Sequence, residues 1–133
     1  MKIIGVGVDI VDNKRIKKSI KNKKFISRVF SKEEINQSKK MIDKTNYFSK
    51  RFAAKESLSK AIGTGFRKGL NFKDISIVND KYGKPHYELN NKVKKLIYSI
   101  FKVKKIKISL SLADEKKYSI AFSVIHKWLV KAQ

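Results

Sequence analysis

Glu56 and Lys60 are the residues whose types and spacing best suit chemistry in this sequence. They lie in a segment, about residues 44–62, that the pattern predicts to be one helix ending before glycines. Side chains four positions apart stack on one face of a helix, so Phe48, Phe52, Glu56 and Lys60 share a face. A solvated Glu–Lys pair, contributing about 0.2–0.5 kcal/mol, is the alternative on this segment alone.

Asp9 is a second carboxylate, inside an apolar run predicted to form a strand over residues 3–11. Strand side chains alternate, which predicts an apolar face of Ile4, Val6, Val8 and Ile10 and an opposite face of Gly5, Gly7 and Asp9. Glycines in a strand often mark the close approach of another group. A turn role is the alternative for Asp9, although Asp12 and Asn13 give a better turn signal.

An ionised Asp in an apolar strand is costly unless it is paired or binds a cation. Glu56 together with a hard divalent cation is a plausible partner for Asp9. Two carboxylates with water or phosphate oxygens are the usual way to hold Mg²⁺. Asp9 and Glu56 are therefore candidate ligands of a cation, and Lys60 lies one helical turn from Glu56.

Two segments, residues 7–10 (GVDI) and 52–61 (FAAKESLSKA), resemble the two signature motifs of the phosphopantetheinyl transferases. Their order and spacing, with the short chain, resemble the small stand-alone type, the holo-[acyl-carrier-protein] synthases. The resemblance continues through residues 63–65 (GTG), 83–85 (GKP) and 109–114 (SLSLAD), and so spans the chain to about residue 125. It implies an α+β fold of the 4′-phosphopantetheinyl transferase type.

The resemblance implies transfer of 4′-phosphopantetheine from coenzyme A to a serine of an acyl carrier protein in fatty acid biosynthesis, with release of adenosine 3′,5′-bisphosphate. Asp9 and Glu56 match the family's Mg²⁺ ligands, and Lys60 matches the lysine that neutralises the leaving group. The serine proton would pass to Glu56 or to a metal-bound water, and the sequence does not decide between them. The positions that match coenzyme A contacts are Arg51, Lys55, Lys60, Gly63, Gly65, Lys84 and Pro85.

One position departs from the family pattern. Many members carry a His near the 3′-phosphate, whereas this chain has Asp114 there. An acid does not attract phosphate, so backbone amides or cations such as Arg51, Lys84 or Lys116 would make that contact. The family also implies a homotrimer with its active sites between subunits.

Residues 14–28 hold eight cations and no acid. A solvated face is one interpretation of such a run, and docking of an acidic carrier protein is the other. Arg15, Lys24 and Arg28 best match the basic positions of the family's first helical region.

The chain has 133 residues, 41% of them hydrophobic, no cysteine and a net charge of +22. This composition predicts one domain with a core and excludes disulfides and thiolate metal sites. We expect no signal peptide and no transmembrane helix, hence a cytoplasmic protein. The charge leaves a nucleic-acid-binding module as the alternative function, and a fold kept only as a carrier-protein binder as a third.

The order of helix and strand patterns favours an α+β domain with an antiparallel sheet packed against a long helix. We expect a transferase domain over residues 1–126 and a C-terminal extension over residues 127–133. Predicted helices cover about residues 13–20, 24–29, 32–41, 44–62 and 91–101, and predicted strands cover 3–11, 74–79, 86–89, 106–112 and 118–126.

Overall fold

The structure, a computed structural model, describes residues 1–67 and 69–129. Its elements in chain order are β1 (Lys2–Asp12), α1 (Asn13–Ser19), α2 (Lys23–Val29), α3 (Lys32–Ser38), α4 (Lys44–Ile62), β2 (Ile75–Asn79), β3 (Pro85–Leu89), α5 (Asn91–Phe101), β4 (Ile106–Asp114) and β5 (Tyr118–Lys127). The predicted α+β class with antiparallel pairing is confirmed. The strands form two sheets rather than one: a three-stranded sheet in the order β1-β5-β4 and the hairpin β2-β3.

Local capping chemistry sets the helix boundaries. The Ser31 hydroxyl and the Glu34 carboxylate form a capping box at the start of α3. α4 has the predicted bounds, and its N-cap is Asp43, whose carboxylate accepts a hydrogen bond from the Asn46 backbone amide. α4 ends at Gly63, whose φ of 93° is a left-handed conformation that glycine adopts without strain.

α4 is the central element of the fold. It packs against β1 and β5 on one side and against α3 and β2 on another. Small or apolar residues such as Ala53, Ala54 and Leu58 are completely buried along it. Packing on more than one side therefore buries most of α4 and decides which of its polar side chains reach the surface.

β1 presents its glycine face, not its apolar face, to α4. Val6, Val8 and Ile10 are 54%, 54% and 61% exposed. A register shift between Ile3 and Gly5 in the pairing with β5 reverses the alternation, so Ile4 packs against the core. The prediction that Ile4 shares a face with Val6 is therefore wrong, because a β-bulge separates them.

The C-terminal strand extends one residue past the predicted domain boundary, to Lys127. The Trp128 amide then donates to the Lys105 carbonyl oxygen at 3.3 Å, which ties this residue to the domain as well. Residues 130–133 of the predicted extension lie outside the described residues. Among the helices of the two described ranges, none has the length and apolar character needed to cross a bilayer.

Candidate active site

The site forms where β1 lies directly on the backbone of α4. A Cβ atom at Gly7 would overlap the Ser57 carbonyl oxygen and lie 2.7 Å from the Ala61 amide nitrogen. A Cβ atom at Gly5 would overlap the Ala61 carbonyl oxygen. Only glycine allows this approach, which brings Asp9, the next residue on the same strand face, against the helix.

Asp9 meets Lys60 at this contact. The Lys60 ammonium Nζ lies 3.0 Å from Asp9 Oδ1 and 3.2 Å from the Val8 carbonyl oxygen, and it donates to both. The Asp9 side chain is 15% exposed and that of Lys60 is 54% exposed. The pair therefore lies at the mouth of the site, with the carboxylate inside and the ammonium outside.

Glu56 lies one helical turn before Lys60 and is partly buried. Burial raises the pKa of the Glu56 carboxyl, and the charge of Asp9 raises it further, whereas Lys60 and Arg15 oppose the shift. The influence of Asp9 on this pKa shows that the two carboxylates lie close enough to repel each other.

Two oxygen-donor side chains that repel each other fit a hard divalent cation, which neutralises both and takes its remaining ligands from water or substrate. The residues described in the structure contain no group of three His, Cys, Asp or Glu side chains able to hold a metal ion. Asp9 and Glu56 are thus two carboxylates that could contribute ligands to a cation, not a closed cage.

Lys55 is not at this site, although it precedes Glu56 in the chain. Its side chain is fully buried, and Nζ donates to Glu34 Oε1 at 2.7 Å, to the Phe72 carbonyl oxygen at 3.0 Å and to the Ile75 carbonyl oxygen. An ammonium has three N–H groups, so none remains for a phosphate. We therefore withdraw Lys55 from the predicted coenzyme A contacts. Successive residues of a helix point in different directions, so Lys55 enters the core although its neighbour Glu56 does not.

Arg51 lies about two and a half turns before Lys60 and so faces the opposite side of α4. It is 5% exposed, and its guanidinium carbon lies 3.7 Å from the centre of the Tyr47 ring. Arg51 Nε is buried without a hydrogen-bond partner. A buried guanidinium nitrogen without an acceptor indicates a place where an anion is favoured.

The predicted glycines and the hairpin residues occupy two different places. Gly63 and Gly65 donate their amides to the Ser59 carbonyl oxygen and turn the chain just after Lys60. Lys84 and Pro85 lie at the β2-β3 turn, where Pro85 pairs with Asn79. Asn79 lines the same small cavity as Arg51, so the hairpin lies on the Arg51 side of the helix.

Asp114 has a cationic neighbour that the sequence did not single out. Lys50 Nζ lies 3.6 Å from Asp114 Oδ1, and the Asn46 side-chain amide donates to Oδ2 at 2.5 Å. These contacts offset the negative charge at the position where we expected phosphate to be repelled. No local signal links Lys50 to a residue sixty-four positions later, so the pair emerges only from the fold.

The predicted docking residues lie on the outer surface of α1 and α2. Arg15, Lys24 and Arg28 are all exposed. The Arg15 guanidinium carbon lies 5.9 Å from the centre of the Phe52 ring, and its charge also reaches Glu56. The predicted docking residues therefore adjoin the carboxylate pair at Arg15, to which the sequence assigned docking alone.

Comparison with known proteins identifies the family. Residues 5–123 match the model of the 4′-phosphopantetheinyl transferase superfamily. The chain is 56% identical over 127 residues to a holo-[acyl-carrier-protein] synthase of Pelagibacter ubique, covering 96% of this chain and 99% of the relative. Its fold matches the crystal structure of the same enzyme from Neisseria meningitidis with a TM-score of 0.85 and 36% identity, over 94% of this chain and 99% of that one.

A second solved structure, a holo-(acyl-carrier-protein) synthase from Bacillus anthracis in complex with CoA (3′,5′-ADP), matches with a TM-score of 0.80 and 32% identity, over 96% of this chain and all of that one. These matches cover nearly the whole chain, including both segments that meet at Asp9 and Lys60. The chain belongs to the 4′-phosphopantetheinyl transferase superfamily, among the holo-[acyl-carrier-protein] synthases.

Proposed function

We propose that this chain transfers 4′-phosphopantetheine from coenzyme A to a serine of apo-acyl carrier protein and releases adenosine 3′,5′-bisphosphate. The observation that carries the proposal is the meeting of Asp9, Glu56 and Lys60 where β1 lies against α4. The fatty acid pathway and the cytoplasmic location are part of the same proposal. The nucleic-acid-binding alternative gains no support from the family or its relatives.

Asp9 and Glu56 would hold a divalent cation, Mg²⁺ in our proposal. When bound, such a cation offsets the charge of a pyrophosphate under nucleophilic attack. The proton of the attacking serine would pass to Glu56 or to a water held by the cation. Lys60 would donate to the phosphate oxygens of the leaving group, where negative charge grows.

Arg51, Lys84 and Pro85 are proposed to bind the nucleotide end of coenzyme A, with the buried Arg51 Nε offered to an anion. They lie on the opposite side of α4 from Asp9 and Lys60. A site shared between neighbouring subunits would bring both groups to one coenzyme A molecule without any rearrangement of the chain. This arrangement supports the proposed homotrimer with sites between subunits.

The exposed apolar face of the three-stranded sheet also supports association. Val8 of β1 pairs with Phe122 of β5, and Ile10 pairs with Ile120, so these side chains are neighbours on one face. Phe122 is 44% exposed and Val8 is 54% exposed. A continuous exposed apolar patch of this kind marks an interaction surface. Sedimentation should show a trimer for the wild type and smaller species for Phe122→Glu.

Arg15, Lys24 and Arg28 are proposed to dock the acidic carrier protein. Opposite charges on the two surfaces would raise the association rate, and the position of Arg15 beside Glu56 would bring the carrier's serine to the site. Other cations of residues 14–28 would add to the same field.

The test is intact-mass spectrometry of an apo-acyl carrier protein incubated with the enzyme, coenzyme A and Mg²⁺. We expect the carrier to gain one phosphopantetheine group, and we expect a chelator to prevent the gain. No gain with coenzyme A and Mg²⁺ present would contradict the proposal. Tight binding of random DNA at physiological salt, without transfer, would favour the nucleic-acid alternative.

A further inference from the structure

The Lys60 ammonium pairs with the Asp9 carboxylate, which the proposed cation would also need. It contacts Asp9 Oδ1 at 3.0 Å and the Val8 carbonyl oxygen at 3.2 Å. Asp9 is otherwise mostly covered, whereas Lys60 is half exposed. In this arrangement the Lys60 ammonium is the direct ion-pair partner of Asp9.

We propose that Lys60 and the divalent cation compete for Asp9, so that the metal-free chain keeps Lys60 on Asp9 and cation binding releases it toward the substrate phosphates. The inference rests on the proposed function. A divalent cation held by Asp9 would lie within a few ångströms of the ammonium at its present position, and both carry positive charge. Like charges at such distances also repel.

Release would leave Lys60 at the mouth of the site rather than remove it. Its Cα is fixed on α4 one turn from Glu56, and its four-carbon stem is flexible. The same ammonium could then neutralise Asp9 in the metal-free chain and the leaving group in the loaded one. Lys60 would thus set the cation affinity as well as take part in the chemistry.

The experiment is a titration of the full chain with Mn²⁺ alone, without coenzyme A, followed by the electron paramagnetic resonance signal of free Mn²⁺. Wild type is compared with Lys60→Met and, as a second variant, Lys60→Gln. Lys50→Met is the matched control, because Lys50 is also on α4 and paired with an Asp, but with Asp114 instead of Asp9. Circular dichroism confirms that each variant folds.

We expect Lys60→Met to bind Mn²⁺ about tenfold more tightly than wild type, since one competing positive charge is gone. Lys50→Met should change the affinity far less, because screening weakens more distant charges. Adding Asp9→Asn to Lys60→Met should abolish the tighter binding.

Three results would overturn the inference: equal affinities for wild type and both Lys60 variants, a tightening that survives Asp9→Asn, or no Mn²⁺ binding by any variant. Failure of the proposed function would look different, since the carrier protein would then gain no phosphopantetheine whatever the Mn²⁺ affinities.

Discussion

Lys55 and Lys60 lie five residues apart on α4, and each pairs with a carboxylate from another element. Lys55 and Glu34 are both 0% exposed and 2.7 Å apart, whereas Lys60 and Asp9 are 54% and 15% exposed and 3.0 Å apart. Five residues turn a helix by about 140°, so one lysine enters the core and the other reaches the surface. The comparison shows that position on the helix, not residue type, decides whether a lysine of α4 forms a buried ion pair or a solvent-accessible one.

The largest expected effect is on transfer activity, at the carboxylates beside the exposed Lys60. Asp9→Ala and Glu56→Ala should each abolish transfer while the fold survives, because each removes a proposed cation ligand. Intact-mass spectrometry of the carrier protein measures transfer, and circular dichroism measures the fold. Near-normal turnover by either variant would contradict the proposal that its residue binds the cation.

The buried pair should respond in stability. Lys55→Met leaves the Glu34 carboxylate buried and uncompensated, which should lower the free energy of unfolding by about 3–5 kcal/mol. Urea unfolding measures this loss. The matched change Lys60→Met breaks a half-exposed pair and should lower it by less than about 1 kcal/mol. Equal losses in the two variants would show that burial does not distinguish the pairs.

Lys60→Ala should lower kcat far more than it weakens coenzyme A binding, because Lys60 is placed to meet charge that develops in the transition state. Loss of such a contact should raise the barrier by about 2–4 kcal/mol. Steady-state kinetics at varied coenzyme A concentration separate the two effects. If only KM for coenzyme A rose, Lys60 would be a binding residue.

A smaller effect is expected at the docking surface. The double change Arg15→Glu and Arg28→Glu should raise the apparent KM for the carrier protein with little change for coenzyme A. The difference from wild type should shrink at high salt, since the Debye length falls to about 3 Å at 1 M. An equal loss of coenzyme A affinity would argue against a docking role.

The smallest effect concerns stability and pH at Glu56. Its pKa is raised in the fold, so the carboxyl contributes stability below its unfolded value of 4.5, and this contribution is lost as pH rises through the folded pKa. Glu56→Gln should therefore be slightly more stable than wild type at pH 7 and lose that advantage in acid. Thermal unfolding of both proteins at pH 7 and below pH 4.5 measures the difference in stability. A less stable Glu56→Gln variant at pH 7 would mean that the fold stabilises Glu56 as an anion.

Local signals were sufficient for most secondary structure. Helix ends depend on residues next to the helix, so their positions follow from the sequence. Examples are the Ser31 capping box, the Asn90 cap and the glycine after Ile62. The glycines of β1 also predicted a close approach before the partner was known. The family motifs located Asp9, Glu56 and Lys60, and the fold brings these three together.

Long-range packing decided the rest. The sequence marked the apolar side of β1 but not that α4 takes the glycine side and leaves Val6, Val8 and Ile10 exposed. It marked Lys55 as one of several motif cations, yet the partner that buries it, Glu34, lies twenty-one residues away. Such contacts depend on which face of a helix meets which element, and a periodic pattern defines the faces without naming their neighbours.

By itself, then, the sequence determined the helices, the strands and the identities of the reactive side chains, because these depend on neighbours in the chain. Only the tertiary structure decided that Lys60 pairs directly with Asp9, that Lys50 offsets Asp114 and that Arg51 faces away from the carboxylates. The physical reason is that ion pairing and burial act over a few ångströms in space, between residues that lie far apart along the chain.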